Sequence, residues 1–231
     1  GVQTCALPIY AKINEVIKMA GVDADLVVLG NSRAEGGYDT ALMNGMSGLK
    51  CLNLGNSGYS FDYSYHIMYQ NYIKQNKKPK YIIVEVGPWC FFDHPGPIYT
   101  IQMLPYINRP EFKFYIDLCP QLSTVDKSLL FRYFGKQRKV MEEIGYLNRP
   151  VDRKQETTTS WCKDYFGKPQ RLEQRKSTVE LFARFLDESK AQGIDVIMVC
   201  SPIHVDDGLR YFDMYGFWSI VMNCNKGKGF I

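Results

Sequence analysis

A serine that acts as a nucleophile needs a histidine to take its proton and donors to hold the charge that develops on the attacked carbonyl. Ser32 is the first candidate. It stands in "LGNSRA", at the end of the apolar run "DLVVLG" (Asp25 to Gly30), with Asn31 before it and Arg33 after it. Serine and asparagine also begin helices, because their side chains cap the first turn. On this stretch alone, nucleophile and helix cap both stay open. Arg33 suits an anionic substrate group or a surface ion pair equally well. A second glycine-rich exit, "NLGNSG" (Asn53 to Gly58), contains Asn56 and ends the next apolar run. There are only three histidines. His66 falls within a helical pattern. His94, in "FFDHPGP", and His204, in "SPIHVDDG", each follow an apolar run and are candidate pocket residues. His204 with Asp206 or Asp207 is a candidate substitute for a base and its orienting acid.

The elements that must position these residues are legible as alternating patterns. "DLVVLG", "LKCLNLG" (Leu49 to Gly55), "YIIVEVG" (Tyr81 to Gly87) and "IDVIMVCSP" (Ile194 to Pro202) are apolar runs of strand length, the kind buried on both faces of a parallel sheet. Between them the spacing predicts helices over 10–20, 40–46, 61–76 and 177–193. Ser177 with Glu180 reads as an N-cap pair, and Gly193 as a C-cap. Strands alternating with helices imply a three-layer α/β fold with a parallel sheet. Residues 92–176, rich in aromatics and prolines, read as an insertion over the carboxyl edge of the sheet. Tyr99, Tyr106, Phe112, Phe114 and Tyr115 within it suit a packed lid, although such rings also stack on sugars.

Composition narrows the classes. The chain has 231 residues, 45% hydrophobic and 23% charged, with a net charge of +4. That suits one globular domain. The basic residues are dispersed, so nucleic acid is not the expected partner. No run is apolar for long enough to span a bilayer. The cysteines show no C-x-x-C spacing, which argues against structural zinc, and Cys51 and Cys200 are expected to be buried free thiols. The first nine residues, "GVQTCALPI", resemble the in-frame translation of a short sequencing adapter. They are set aside, leaving 10–231 as the domain and any native leader or membrane anchor unknown.

Ligands of open α/β sheets bind beyond the carboxyl ends of the strands. The exits "GNSRA", "NLGNSG", "VGPWC" and "CSPIH" together resemble the SGNH/GDSL hydrolase superfamily, and most nearly its envelope-associated members in gut-type bacteria. That resemblance implies a flavodoxin-like sheet and a serine esterase, or an O-acyl (acetyl) hydrolase or transferase. The substrate would be an ester, such as an acylated cell-surface glycan, with no metal or cofactor, in the cell envelope. It casts Ser32 as nucleophile and the Ser32 and Gly58 backbone N–H groups as the oxyanion hole.

Two departures accompany it. The third block should read Gly-x-Asn-Asp, but Pro88 and Trp89 stand there. Losing one oxyanion donor costs roughly 10²–10³ in rate, unless the side chain of Asn31 or Asn56 substitutes. The D-x-x-H motif that should supply the base is absent. The expectation is therefore that the chain stops before it and is inactive or nearly so as it stands. The alternative is a non-catalytic envelope protein of the same fold that binds polysaccharide or helps export it. A nucleotide- or flavin-binding module is weaker, since neither glycine-rich phosphate motif is present.

Overall fold

The computed structural model describes residues 13, 15–56, 60–91, 176–203 and 213–231. Their centre is a four-stranded parallel sheet, β1 (Leu26–Leu29), β2 (Cys51–Asn53), β3 (Tyr81–Glu85) and β4 (Asp195–Val199), in the order β2-β1-β3-β4. All four predicted strands are present. The register places Leu29 beside Val84, and Glu85 beside Val199. The four chain exits therefore lie along one edge. Beyond β4, Phe230 makes a parallel bridge to Ile197, its N–H donating to the Val196 carbonyl at 2.8 Å and its carbonyl accepting from Met198 N–H at 2.7 Å.

Alternation along the strands sends side chains into two cores. Val27, Leu29, Ile82, Val84, Val196 and Met198 join the larger one. Leu26, Val28 and Ala34 form a smaller one on the other face, edged by half-buried Tyr81 and Ile83. The smaller face is covered by α1 (Ser32–Gly37) and α2 (Thr40–Ser47). Its cover is thin, for α2 buries no residue, and Met46 is 81% exposed.

The larger face packs against α3 (61–75), α4 (Lys176–Ala191) and α5 (Met214–Asn225). Helix α3 runs as Phe61–Tyr63, a π-helical stretch Ser64–Tyr69, and Gln70–Gln75. Sequence spacing predicts a regular amphipathic helix here; the wide turn differs from that expectation. It buries Tyr63, Tyr65, Ile67, Met68 and Tyr69 nearly continuously, and Asn71 Nδ2 donates to the Ile67 carbonyl at 2.7 Å. Glu188 of α4 accepts from Tyr65 Oη at 2.7 and 2.9 Å. Phe61, Phe182, Phe185 and Phe91 fill the centre with edge-on contacts.

The start of α4 differs from its prediction: Lys176 is already helical, so Ser177 lies within the helix and is not its N-cap. Its end follows the prediction. Gly193 sits at φ +72°, and the N–H groups of Gly193 and Ile194 donate to the carbonyls of Lys190 and Ser189. This is the paired closure that a left-handed glycine allows. Among the described residues no helix is long and apolar enough to cross a membrane. The expected insertion over 92–176 lies outside the described residues, except for the first residue of α4.

Candidate functional site at the strand exits

The β1 exit is built by close approach. Gly30 has φ +144°, and a Cβ there would lie 2.8 Å from both Ala34 Cβ and Glu85 Cβ. At the β2 exit a Cβ on Gly55 would lie 2.6 Å from Glu35 N and from Ala34 Cβ. Glycine is needed at both points because backbone and neighbour leave no room for a side chain. Asn53, fully buried, ties these exits together. Its Nδ2 donates to the carbonyls of Ala34 (2.8 Å) and Tyr38 (3.1 Å), and its Oδ1 accepts from Gly55 N–H at 2.8 Å. Asn56 N–H then donates to the Gly30 carbonyl at 2.9 Å.

Ser32 is the first helical residue of α1, and it is exposed. The cap is Asn31, whose Oδ1 accepts from Arg33 N–H at 3.0 Å and whose carbonyl accepts from Glu35 N–H. Asn31 therefore performs the structural task that Ser32 could have performed. Among the described residues the Ser32 hydroxyl and N–H make no hydrogen bond, and the residue is exposed. Asn56 is fully buried, and its Nδ2 donates to Tyr63 Oη at 3.0 Å, so that nitrogen is engaged within the fold.

Arg33 and Trp89 meet. The guanidinium carbon lies 4.3 Å from the indole centroid, within the range of a cation–π contact. The indole also lies against Gly87, where a Cβ would come within 2.2 Å of it. Arg33 Nη1 donates to the carbonyls of Ser201 (3.2 Å) and Pro202 (2.9 Å). One side chain thus joins the exits of β1, β3 and β4.

Sequence reasoning missed the group beneath them. Glu85 ends β3 and is 1% exposed. Its Oε2 accepts from Ser201 Oγ (2.8 Å) and Tyr38 Oη (3.2 Å), and its Oε1 from Ser201 N–H (3.1 Å). Burial, with the Glu85 carboxylate alongside, pushes the Tyr38 hydroxyl far above its ordinary pKa. The signal was present: a charged residue inside "YIIVEVG" must find partners if that run is a buried strand.

His66, on α3, is half-buried with its ring edge-on to Tyr65 at 4.9 Å; burial lowers its pKa. The charged groups acting on it are Asp62, Arg184, Glu188 and Lys74, none of which belongs to a strand exit. His94, His204 and Gly58 lie outside the described residues, as do Asp206 and Asp207. Among the described residues no cluster of histidine, cysteine or acid side chains could hold a metal.

The thiols differ from their prediction. Cys51 and Cys200 are half-buried, whereas Cys90 and Cys224 are buried. Cys51 begins β2 on the thinly covered face, and Cys200 follows the end of β4, so neither is enclosed. Burial pushes the Cys90 thiol up to about 12. Since only the thiolate alkylates readily, iodoacetamide at pH 8 is expected to leave Cys90 unmodified in the native protein and to modify it in denaturant. Mass mapping of Cys90 at equal rates in both states would show that the β3 exit is open.

Fold and site together define an α/β protein with a parallel sheet and a polar strand-edge site around an exposed serine. No family model matches the chain, and neither a curated protein nor a solved structure matches it.

Proposed function

We propose that the chain is an SGNH-hydrolase-like serine esterase, or an O-acyl (acetyl) hydrolase or transferase, with Ser32 as its nucleophile. The observation that carries the reading is the division of labour at α1: Asn31 caps the helix, and the exposed Ser32 hydroxyl is left without a structural task. The finer fold assignment, flavodoxin-like of the SGNH type, is supported by the order β2-β1-β3-β4 with Phe230 adding beside β4. That order is the doubly wound arrangement whose ligands lie at the carboxyl strand ends.

In this reading Ser32 Oγ attacks the acyl carbon of an ester, such as an acylated surface glycan. The N–H of Ser32, at the start of α1, would serve the developing oxyanion, and the SGNH resemblance gives Gly58 N–H the same role. Asn31 holds the turn that presents both the hydroxyl and the N–H. Residues 1–231 contain no D-x-x-H, so the rate expected of these residues by themselves is low.

The test is hydrolysis of 4-nitrophenyl acetate by the intact chain and by Ser32→Ala, each with and without added imidazole as a replacement base. The expected result is a slow, imidazole-stimulated rate above the background reaction, lost in Ser32→Ala. Equal rates for the two proteins at every imidazole concentration would overturn the assignment.

The second reading is binding of polysaccharide, or help in its export, without turnover. It is favoured by the place of His66, whose charged neighbours lie on α3 and α4 rather than at the strand exits. Polysaccharide binding that is saturable and unchanged in Ser32→Ala, with no hydrolysis, would select it.

A further inference from the structure

We infer that the Nε–Nη2 edge of Arg33 is a subsite for an oxyanion, a carboxylate or a phosphate ester, borne by a part of the ligand that does not react. As a statement about substrate it rests on the reading of Ser32 given above; as a statement about binding it does not. A guanidinium has two edges that grip an oxyanion through parallel hydrogen bonds, the terminal pair of nitrogens and the lateral Nε–Nη2 pair. In Arg33 the terminal Nη1 is committed, donating to the carbonyls of Ser201 at 3.2 Å and Pro202 at 2.9 Å. The lateral edge remains. Among the described residues it donates to nothing, and no carboxylate lies within ion-pair distance.

Glu85, the buried acid at the end of β3, does not supply the missing charge. Glu85 is satisfied by Ser201 N–H, Ser201 Oγ and Tyr38 Oη, three donors for its two oxygens. Arg33 is half-buried, so its charge is only partly hydrated. A cation in that position gains from a charge-assisted partner more than a fully solvated one does.

The side chain is also held in advance. Two carbonyls fix the guanidinium at one end, and the Trp89 ring lies 4.3 Å from it. Little rotamer freedom is left to lose when a ligand arrives, which favours binding. Arg33 and Ser32 are consecutive residues at the start of α1, so both stand at the β1 exit. The substrate class that follows is an acidic ester: an acylated sugar acid or an acylated sugar phosphate, in preference to a neutral acylated sugar.

Trp89 provides the readout, because its ring is in contact with the binding group. Tryptophan fluorescence of the intact chain would be titrated with glucuronate, with glucose 6-phosphate and with glucose at constant ionic strength. Trp89→Phe identifies the share of the signal that comes from this ring. A saturable change is expected with an anionic sugar and none with glucose. Affinity should fall roughly tenfold or more in Arg33→Gln, and less in Arg33→Lys, which keeps the charge and loses the fork. A response to glucuronate alone assigns a carboxylate ligand, and one to glucose 6-phosphate alone a phosphate. Indistinguishable responses to all three sugars, or unchanged anion affinity in a folded Arg33→Lys, would overturn the inference. Ser32-dependent ester hydrolysis without any anion response would sink this subsite and leave the nucleophile assignment standing. An anion response without Ser32-dependent hydrolysis would do the reverse.

Discussion

Glu85→Ala is expected to lower folding stability by about 3 kcal/mol, read as a shift of the urea midpoint at unchanged slope. The carboxylate is the shared acceptor for three donors from two different elements, Tyr38 after α1 and Ser201 after β4. Removing it leaves those donors with poor access to water, and each buried unsatisfied group costs about 1–3 kcal/mol. Glu85→Gln keeps one acceptor oxygen and should recover part of the loss. The consequence for the site is as important as the stability. Ser201 and Pro202 carry the carbonyls that hold Arg33, so Glu85→Ala should also weaken anion binding without any direct contact. Full stability in Glu85→Ala would mean that the β4 exit is held by something else.

Phe185→Ala is expected to cost about 3–5 kcal/mol. Phe185 is fully buried on α4 and meets Phe61 at 5.5 Å, Tyr69 at 5.0 Å and Tyr65 at 6.5 Å between ring centroids. Those three rings all lie on α3, so truncating Phe185 opens a cavity in the contact between α3 and α4. The surrounding rings are fixed by hydrogen bonds as well as packing; Tyr65 donates to Glu188 and Gln192 donates to Tyr69. They cannot readily collapse into the gap, which places the cost toward the upper part of that range. Thermal and urea unfolding of the variant measure it directly. A loss under about 1 kcal/mol would mean that the core relaxes around the gap.

The strands were legible because a parallel strand buried on both faces must be apolar throughout, and "DLVVLG", "YIIVEVG" and "IDVIMVCSP" have that character. The end of α4 was legible for a comparable reason, since Gly193 is the residue type that accepts a left-handed closure. The π turn in α3 was not legible. No proline or glycine marks it in the sequence.

At the site, the roles of Asn31 and Ser32 could not be separated from sequence. Both residue types cap helices, and a shift of one position in the helix start exchanges their roles. The structure separates them by geometry, with Asn31 accepting from Arg33 N–H. Glu85 was overlooked for the opposite reason. A single acid in an apolar run disturbs the strand pattern too little to be noticed, although its burial demands partners that turn out to organise two exits. Trp89 was read as a misfit for an asparagine; in the fold it serves as the platform beneath Arg33.

The most direct test of the central claim is to ask which serine becomes covalently modified. The intact chain would be incubated with a fluorophosphonate and imidazole, digested, and mapped by mass spectrometry. The phosphonyl group is expected on Ser32, with Ser201 and Ser60 unlabelled. Ser201 is engaged by Glu85, and Ser60 by Asp62. A chain left unlabelled at Ser32, or labelled there no faster than at its other serines, would contradict it.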